Sequence, residues 1–256
     1  MNSFETFLQL HQNPNPLLLG NIWDVSSAKI FEQKGYKAIG TSSQAVAKSL
    51  GYEDGEKLPF DTLFRLAKRV VEVVDIPFTV DLEAGYSRTI NGIIENIKKL
   101  HGIGVVGINL EDTIPGATRH LQPVTKFQKT LSAIAEQISR NNLKMFLNIR
   151  TDGFLLGMPT ALAETLTRTK SYENSGANGI FVPCITNKND IEEVVKATSL
   201  PVNVMCMPDL PDFEELKMLG VKRISMGPFV NSYISKKTEE AAGTVLQDNN
   251  FSSLFK

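Results

Sequence analysis

The chain has 256 residues, a formal net charge of −1, 42% hydrophobic residues and 21% charged residues. Lys and Arg are scattered rather than run together, which argues against a nucleic-acid surface, and two cysteines cannot build a disulfide framework, so a reducing compartment is expected. Met1–Phe7 has no basic stretch followed by an apolar one, and no apolar run is long enough to span a bilayer, so the expectation is a cytoplasmic protein without membrane partners.

In chain order, Pro16–Gly20 reads as a first strand, an apolar run bounded by turn residues. Apolar residues at three- and four-residue spacing in Ser26–Gln33 predict a helix, and Gly35–Gly40 a second strand. The pattern then repeats: helix Phe60–Val74, strand Pro77–Asp81, helix Ile90–Leu100, strand Gly104–Ile108, helix Phe127–Arg140, strand Met145–Arg150. It continues with helix Ala161–Glu173, strand Gly176–Val182, helix Asp190–Ala197, strand Pro201–Met205, helix Asp212–Leu219 and strand Gly220–Met226, before a helical tail near Thr238–Val245. Gly35, Gly104, Gly176 and Gly220 each stand where a helix ends in a left-handed residue before the next strand. Eight strands alternating with helices over this length predict an α/β fold with a closed parallel (β/α)8 barrel, a TIM barrel, as a single domain over residues 1–256. The open doubly wound alternative lacks its G-x-G-x-x-G turn after the first strand. The first and last dozen residues are expected to pack outside the barrel.

In such a barrel the chemistry lies where strands end. Asp81 and Glu83 follow the third strand and Glu111-Asp112 the fourth. Carboxylates on neighbouring strand ends repel, and a hard cation held by oxygen ligands relieves them, so Asp81, Glu83 and Glu111 are candidate ligands for Mg2+ or Mn2+. Two residues apart on a regular strand, Asp81 and Glu83 would share one face; structural ion pairs are the plainer alternative for these carboxylates. Asp112 is instead placed to point into the barrel wall. Arg150 ends an apolar run, and its planar fork suits a carboxylate or phosphate, with a salt bridge to Glu111 or Asp112 as the competing role. Ser42 and Ser43 offer hydroxyls and backbone N–H groups to a substrate oxyanion. Cys184 and Cys206 have no His beside them in sequence and read as small buried residues rather than nucleophiles. The segment Thr113–Thr125, with Arg119 and His120, is a candidate lid or an ordinary exposed loop.

These strand ends resemble the isocitrate lyase / phosphoenolpyruvate mutase superfamily. Gly40-Thr41-Ser42-Ser43 through Leu50-Gly51-Tyr52-Glu53-Asp54 resembles its S-S/G…L-G-x-x-D stretch, and Asp81-Leu82-Glu83-Ala84-Gly85-Tyr86 its D-x-D-x-G-Y motif. Ile108–Asp112 resembles I-x-x-E-D, and Asn148–Asp152 resembles A-R-T-D. The similarity runs from Asn21 to Pro228. It implies a modified barrel whose last helix is exchanged between partners in a dimer or tetramer. It also implies Mg2+ on Asp81 with Asp54, Glu83 and Glu111 nearby, often through waters. A 2-oxo acid or its enolate would chelate that metal, with its carboxylate on Ser42, Ser43 and Arg150. Three departures stand out. The lyases of the family carry K-x-C-G-H after E-D, with the Cys as acid/base, whereas Thr113–His120 has no Cys and no matching Lys. The Asn typical of the phosphonate-active lid is not evident. Glu83 and Ala84 replace an Asp and a Thr.

The expected function is therefore a Mg2+-dependent enzyme acting on a small 2-oxo or 2-hydroxy dicarboxylate through an enolate. C–C cleavage is favoured over P–C chemistry of the mutase or hydrolase type, and Arg150, Arg119 and His120 are the candidate catalytic groups. The alternative from another class is a non-catalytic protein that keeps the metal and oxo-acid pocket.

Overall fold

A computed structural model describes residues 3–116 and 118–255. In chain order the strands are β1 (Leu17–Ile22), β2 (Ile39–Thr41), β3 (Phe78–Asp81), β4 (Gly107–Glu111), β5 (Thr113–Ile114), β6 (His120–Leu121), β7 (Phe146–Arg150), β8 (Gly179–Val182), β9 (Val202–Met205) and β10 (Arg223–Ser225). β5 and β6 form a small antiparallel hairpin. The other eight close into a barrel in the order β1-β10-β9-β8-β7-β4-β3-β2, every neighbouring pair parallel. The helices are α1 (Ser3–Leu10), α2 (Val25–Gln33), α3 (Ser43–Ser49), α4 (Phe60–Val71), α5 (Ile90–Gly102), α6 (Val124–Arg140), α7 (Ala161–Glu173), α8 (Lys188–Lys196), α9 (Phe213–Met218) and α10 (Phe229–Asp248). The barrel and its eight strands are those the sequence predicts. Among the described residues no helix is long and apolar enough to cross a membrane.

Local chemistry accounts for the punctuation. The four helix-ending glycines take the left-handed conformation their positions predict, with φ of 88° at Gly35 and 95° at Gly176. Asp24, which follows the first strand, is used as a helix cap: it accepts from Ser27 N at 2.6 Å and opens α2. Ser42 likewise caps α3, a helix too short to stand out as a periodic pattern.

Outward-facing strand residues such as Val80, Ile108, Leu147, Ile180 and Val204 join the helices in one apolar core, each contributing roughly 1.5–3 kcal/mol by leaving water. The barrel interior differs from the usual aliphatic filling. Asn148 Nδ2 donates to Asn109 Oδ1 at 2.8 Å and to Asn203 Oδ1 at 3.1 Å, and Asn203 Nδ2 donates to Ser225 Oγ at 3.1 Å. This polar belt crosses the barrel beneath the site. Below it, Phe7 of α1 joins Leu17, Leu19, Ala38, Val106 and Phe146 in a second apolar cluster that seals the floor. The first residues thus lie outside the strands, as expected, yet plug their amino end.

The far end of the chain is built differently. Only Asn231 of the twenty residues of α10 is buried. Beside its root, Leu18, Leu210, Phe213, Ile224 and Met226 line an open apolar cleft of ≈ 670 Å³. In a closed ring of eight helices, an eighth would lie over the outward faces of β10 and β1 here.

Candidate active site

Asp81, the last residue of β3, is 7% exposed and borders a cavity of ≈ 250 Å³ at the carboxyl ends of the strands. Its N–H donates to Thr41 Oγ1 at 2.8 Å, and its Oδ2 accepts from Ser43 Oγ at 2.9 Å. Its Oδ1 is buried and has no hydrogen-bond partner among the described residues. A carboxylate oxygen left without a donor is costly and invites a cation.

Glu83 does not sit where a regular strand would carry it. The strand ends at Asp81, and the chain turns through positive φ at Glu83 (48°), Gly85 (100°) and Tyr86 (52°). A Cβ at Gly85 would come within 2.6 Å of Ile93, so this turn requires its glycine. The Glu83 carboxylate accepts from Glu56 N at 2.9 Å and Tyr86 Oη at 2.8 Å, tying the segment before α4 to the end of β3. Burial first, then the neighbouring charges of Asp54 and Asp81, push the Glu83 carboxyl up to about 8. Sequence reasoning assigned no role to Glu56 or Tyr86, whose contacts arise only from this turn.

Glu111 at the end of β4 faces Arg150 at the end of β7, its register partner. Arg150 Nη1 lies 3.2 Å from Glu111 Oε2 and Arg150 Nε 2.6 Å from Asp152 Oδ1. Arg119 reaches in from the segment joining β5 and β6, 3.3 Å from Glu111, 3.4 Å from Asp152 and 3.9 Å from Asp54. Thr113 Oγ1 donates to Glu111 Oε1 at 2.6 Å. Burial pushes the Glu111 carboxyl up, while the two arginines and the Thr113 hydroxyl pull it down. Two guanidiniums and a hydroxyl donor favour the carboxylate, in keeping with an Arg150 that its carboxylate neighbours hold firmly charged against burial. Asp152, within the motif but given no role from sequence, is thus the third corner of this network.

Asp112 turns away from the cavity, as expected for a wall residue. It accepts from Arg168 Nη1 at 3.0 Å and Tyr172 Oη at 2.7 Å, and Arg168 Nη2 donates to Gln122 O at 3.1 Å, anchoring the segment after β6 to α7. The structure therefore brings together Ser42, Ser43, Asp54, Asp81, Arg119 and Arg150 on the cavity wall, with Glu111 and Glu83 behind them. It does not bring His120 in. That residue is exposed on β6, hydrogen-bonds Thr118 O through Nδ1 at 3.2 Å, and lies off the cavity wall. Cys184 does border the cavity; burial pushes its thiol up and keeps it protonated, so it is no activated nucleophile.

The donor set fits a hard divalent cation in one particular way. Among the described residues no three His, Cys, Asp or Glu side chains converge as direct ligands of one ion. The unpartnered Asp81 Oδ1 fits a single direct ligand, with Asp54, Glu83 and Glu111 acting through waters, which is how Mg2+ commonly binds.

A closed parallel barrel with an arginine–carboxylate site at its strand ends defines a (β/α)8 enzyme for a small anionic ligand. A sequence-family profile described as phosphoenolpyruvate phosphomutase matches residues 7–246, and the chain belongs to that family, within the isocitrate lyase / phosphoenolpyruvate mutase superfamily. A provisionally assigned phosphonomutase from Burkholderia cenocepacia is 35% identical and superposes with a TM-score of 0.87 over 94% of this chain and 98% of that one. The oxaloacetate decarboxylase of Pseudomonas entomophila is 26% identical over 216 residues, 81% of this chain and 72% of its own. At 18% identity, phosphonopyruvate hydrolase in complex with oxalate and Mg2+ shares the fold, with a TM-score of 0.87 over 99% of this chain and 90% of that one.

Proposed function

We propose that the protein is a Mg2+-dependent lyase that cleaves a C–C bond of a small 2-oxo dicarboxylate, by decarboxylation in the simplest case. The observation that carries this reading is Asp81: a cavity-wall carboxylate with one unpartnered oxygen, amid like charges, a short span from a firmly charged Arg150. Bound through Asp81, Mg2+ would withdraw charge from the 2-oxo oxygen as it becomes an enolate oxygen. Ser42, Ser43 and Arg150 would hold the adjacent carboxylate. Glu111 and Asp152 keep Arg150 aimed, so that little reorganisation is needed as charge develops. The C3–C4 bond would break, its electron pair entering the C2–C3 bond as the C2=O π pair moves onto oxygen; CO2 leaves, and water supplies a proton to C3 of the enolate.

Decarboxylation requires no base to deprotonate an alcohol, so the absence of Cys from Thr113–His120 does not disable it. The decarboxylase relative and the oxalate and Mg2+ complex in the same fold support the reading. Phosphonate P–C chemistry is the second reading, favoured by the 35% identical relative. For the quaternary structure we propose a homodimer or homotetramer in which α10 crosses to a neighbour and fills the cleft at Leu18 and Ile224; the exposed Tyr233 and Ile234 (61% and 47%) support this.

The test is a Mg2+-supplemented panel of oxaloacetate, 2-hydroxy dicarboxylates and phosphonopyruvate, read as loss of substrate and formation of pyruvate or phosphoenolpyruvate. Oxaloacetate is expected to turn over, with loss of rate on adding EDTA or in Arg150→Met. Faster phosphonopyruvate conversion would shift the assignment to P–C chemistry. Retained oxalate binding with no turnover of any compound would mark a non-catalytic binding protein.

A further inference from the structure

Arg150 and Arg119 share Glu111 and Asp152 but hold them differently. Arg150 grips Asp152 with two bonds, Nε to Oδ1 at 2.6 Å and Nη2 to Oδ2 at 3.1 Å, and its side chain is 11% exposed. Arg119 is spread over three carboxylates, its side chain is 22% exposed, and its contacts run from 3.3 Å to Glu111, through 3.4 Å to Asp152, to 3.9 Å to Asp54. A strong charge-assisted N–H···O bond measures about 2.7–2.9 Å. One arginine is clamped, and the other is held mainly by the surplus of negative charge around it.

The hairpin that carries Arg119 is anchored at its base. Gln122 N donates to Asp112 O at 2.8 Å, and Arg168 Nη2 donates to Gln122 O at 3.1 Å. The guanidinium can therefore change partners by turning about its own side-chain bonds while the hairpin stays in place. Its Nη2 stands 3.3 Å from Glu111 Oε1 and 3.9 Å from Asp54 Oδ2, two of the carboxylates that suit the waters of a metal on Asp81. A divalent cation arriving there competes with Arg119 for both and weakens the attraction that holds it. The oxo acid that follows brings negative charge into the cavity that Arg119 borders, where the released guanidinium finds a new partner.

We infer that Arg119 is an exchangeable counter-cation: it holds Asp54 and Glu111 in the metal-free protein, yields them to Mg2+, and then binds the anionic far end of the oxo acid. This rests on the Mg2+ and oxo-acid reading of the site. The exchange favours assembly in one order, metal before oxo acid, and makes Arg119 a ligand-binding residue rather than a fixed structural ion pair.

Phenylglyoxal labelling of the wild-type protein, mapped by peptide mass, tests it, with Arg65 (side chain 79% exposed) as the internal reference. Mg2+ should speed modification of Arg119 several-fold relative to Arg65, and oxalate added to the Mg2+ complex should return it to the metal-free rate or below, while Arg150 stays unreactive throughout. Calorimetric titration of Arg119→Met gives a second readout with effects of opposite sign. Mg2+ alone should bind about threefold more tightly than to the wild type, its internal competitor having gone. Oxalate at saturating Mg2+ should bind about tenfold more weakly. Mg2+ that binds the wild type without raising Arg119 labelling, or an Arg119→Met variant in which both affinities fall together, would overturn the inference and leave the metal reading intact. Failure of Mg2+ to bind the wild type would overturn both.

Discussion

The two ends of the barrel bury charge in opposite ways. At the carboxyl end, Arg119 and Arg150 are paired with Glu111 and Asp152, while Asp81, bordering a cavity, keeps a buried oxygen without a hydrogen-bond partner. Deeper in the barrel, between that cavity, whose lining it joins, and the Phe7 plug, Arg223 is buried with Nε and Nη1 unpartnered, its guanidinium carbon 5.8 Å from the Phe7 ring centroid. His11, stacked on Phe146 at 4.7 Å, leaves Nε2 unpartnered. Burial lowers Arg223 to about 9 despite the opposing pull of Asp81. One end keeps an unmet need that a ligand can fill, and the other carries charge at a cost to stability. The carboxyl end should therefore respond to ligands, and the amino end to pH and to apolar replacement.

The largest effect is expected where a buried ion pair is broken. Arg168→Met leaves Asp112 uncompensated and should cost about 3–5 kcal/mol in denaturant unfolding. Next comes the floor in acid. His11 is lowered from 6.5 to about 4, chiefly by burial and then by Arg223. Between those values the unfolded chain takes up a proton that the folded one refuses, so stability is full above pH 6.5 and falls with pH by about 3 kcal/mol in all. His11→Leu should flatten that slope; an unchanged slope would place the acid sensitivity elsewhere. Smaller, and of opposite sign, is Arg223→Met, which should stabilise by about 1–4 kcal/mol, since an apolar group of similar size replaces an unpaired buried charge. Destabilisation would reveal a partner for Arg223 and collapse the contrast between the two ends. The smallest is the surface reference, Asp61→Ala, where the pair with Arg65 has side chains 69% and 79% exposed and the change should stay within about 0.5 kcal/mol.

Much of the carboxyl end was legible in the sequence, and little of the amino end. The strand-ending carboxylates and Arg150 stand out because charge after a buried strand has few packing uses. Glu83 was placed on the right side of the site for a reason that does not hold, since alternation ends with the strand at Asp81. Its contacts with Glu56 and Tyr86 depend on three departures into positive φ within four residues, at Glu83, Gly85 and Tyr86, and a helix-or-strand pattern carries no such information. The hairpin of β5 and β6 has two residues per strand, below any periodicity. The barrel interior did leave a trace. Asn21, Asn109, Asn148 and Asn203 each interrupt an apolar strand run, and Asn is depleted in strands. Asn109, Asn148 and Asn203 at inward positions form the polar belt and Asn21 binds backbone of the neighbouring strands, but these partners come only with the closed register.

The central claim is that Asp81 holds a divalent cation bridging the protein to an oxo acid. Thermal melting with Mg2+, oxalate and both together, in wild type and in Asp81→Asn, tests it most directly. In the wild type the shift with both should exceed the sum of the separate shifts, because each ligand completes the other's site, and in Asp81→Asn that excess should vanish. Merely additive shifts in the wild type, or an Asp81→Asn variant that keeps the full excess, would contradict the account.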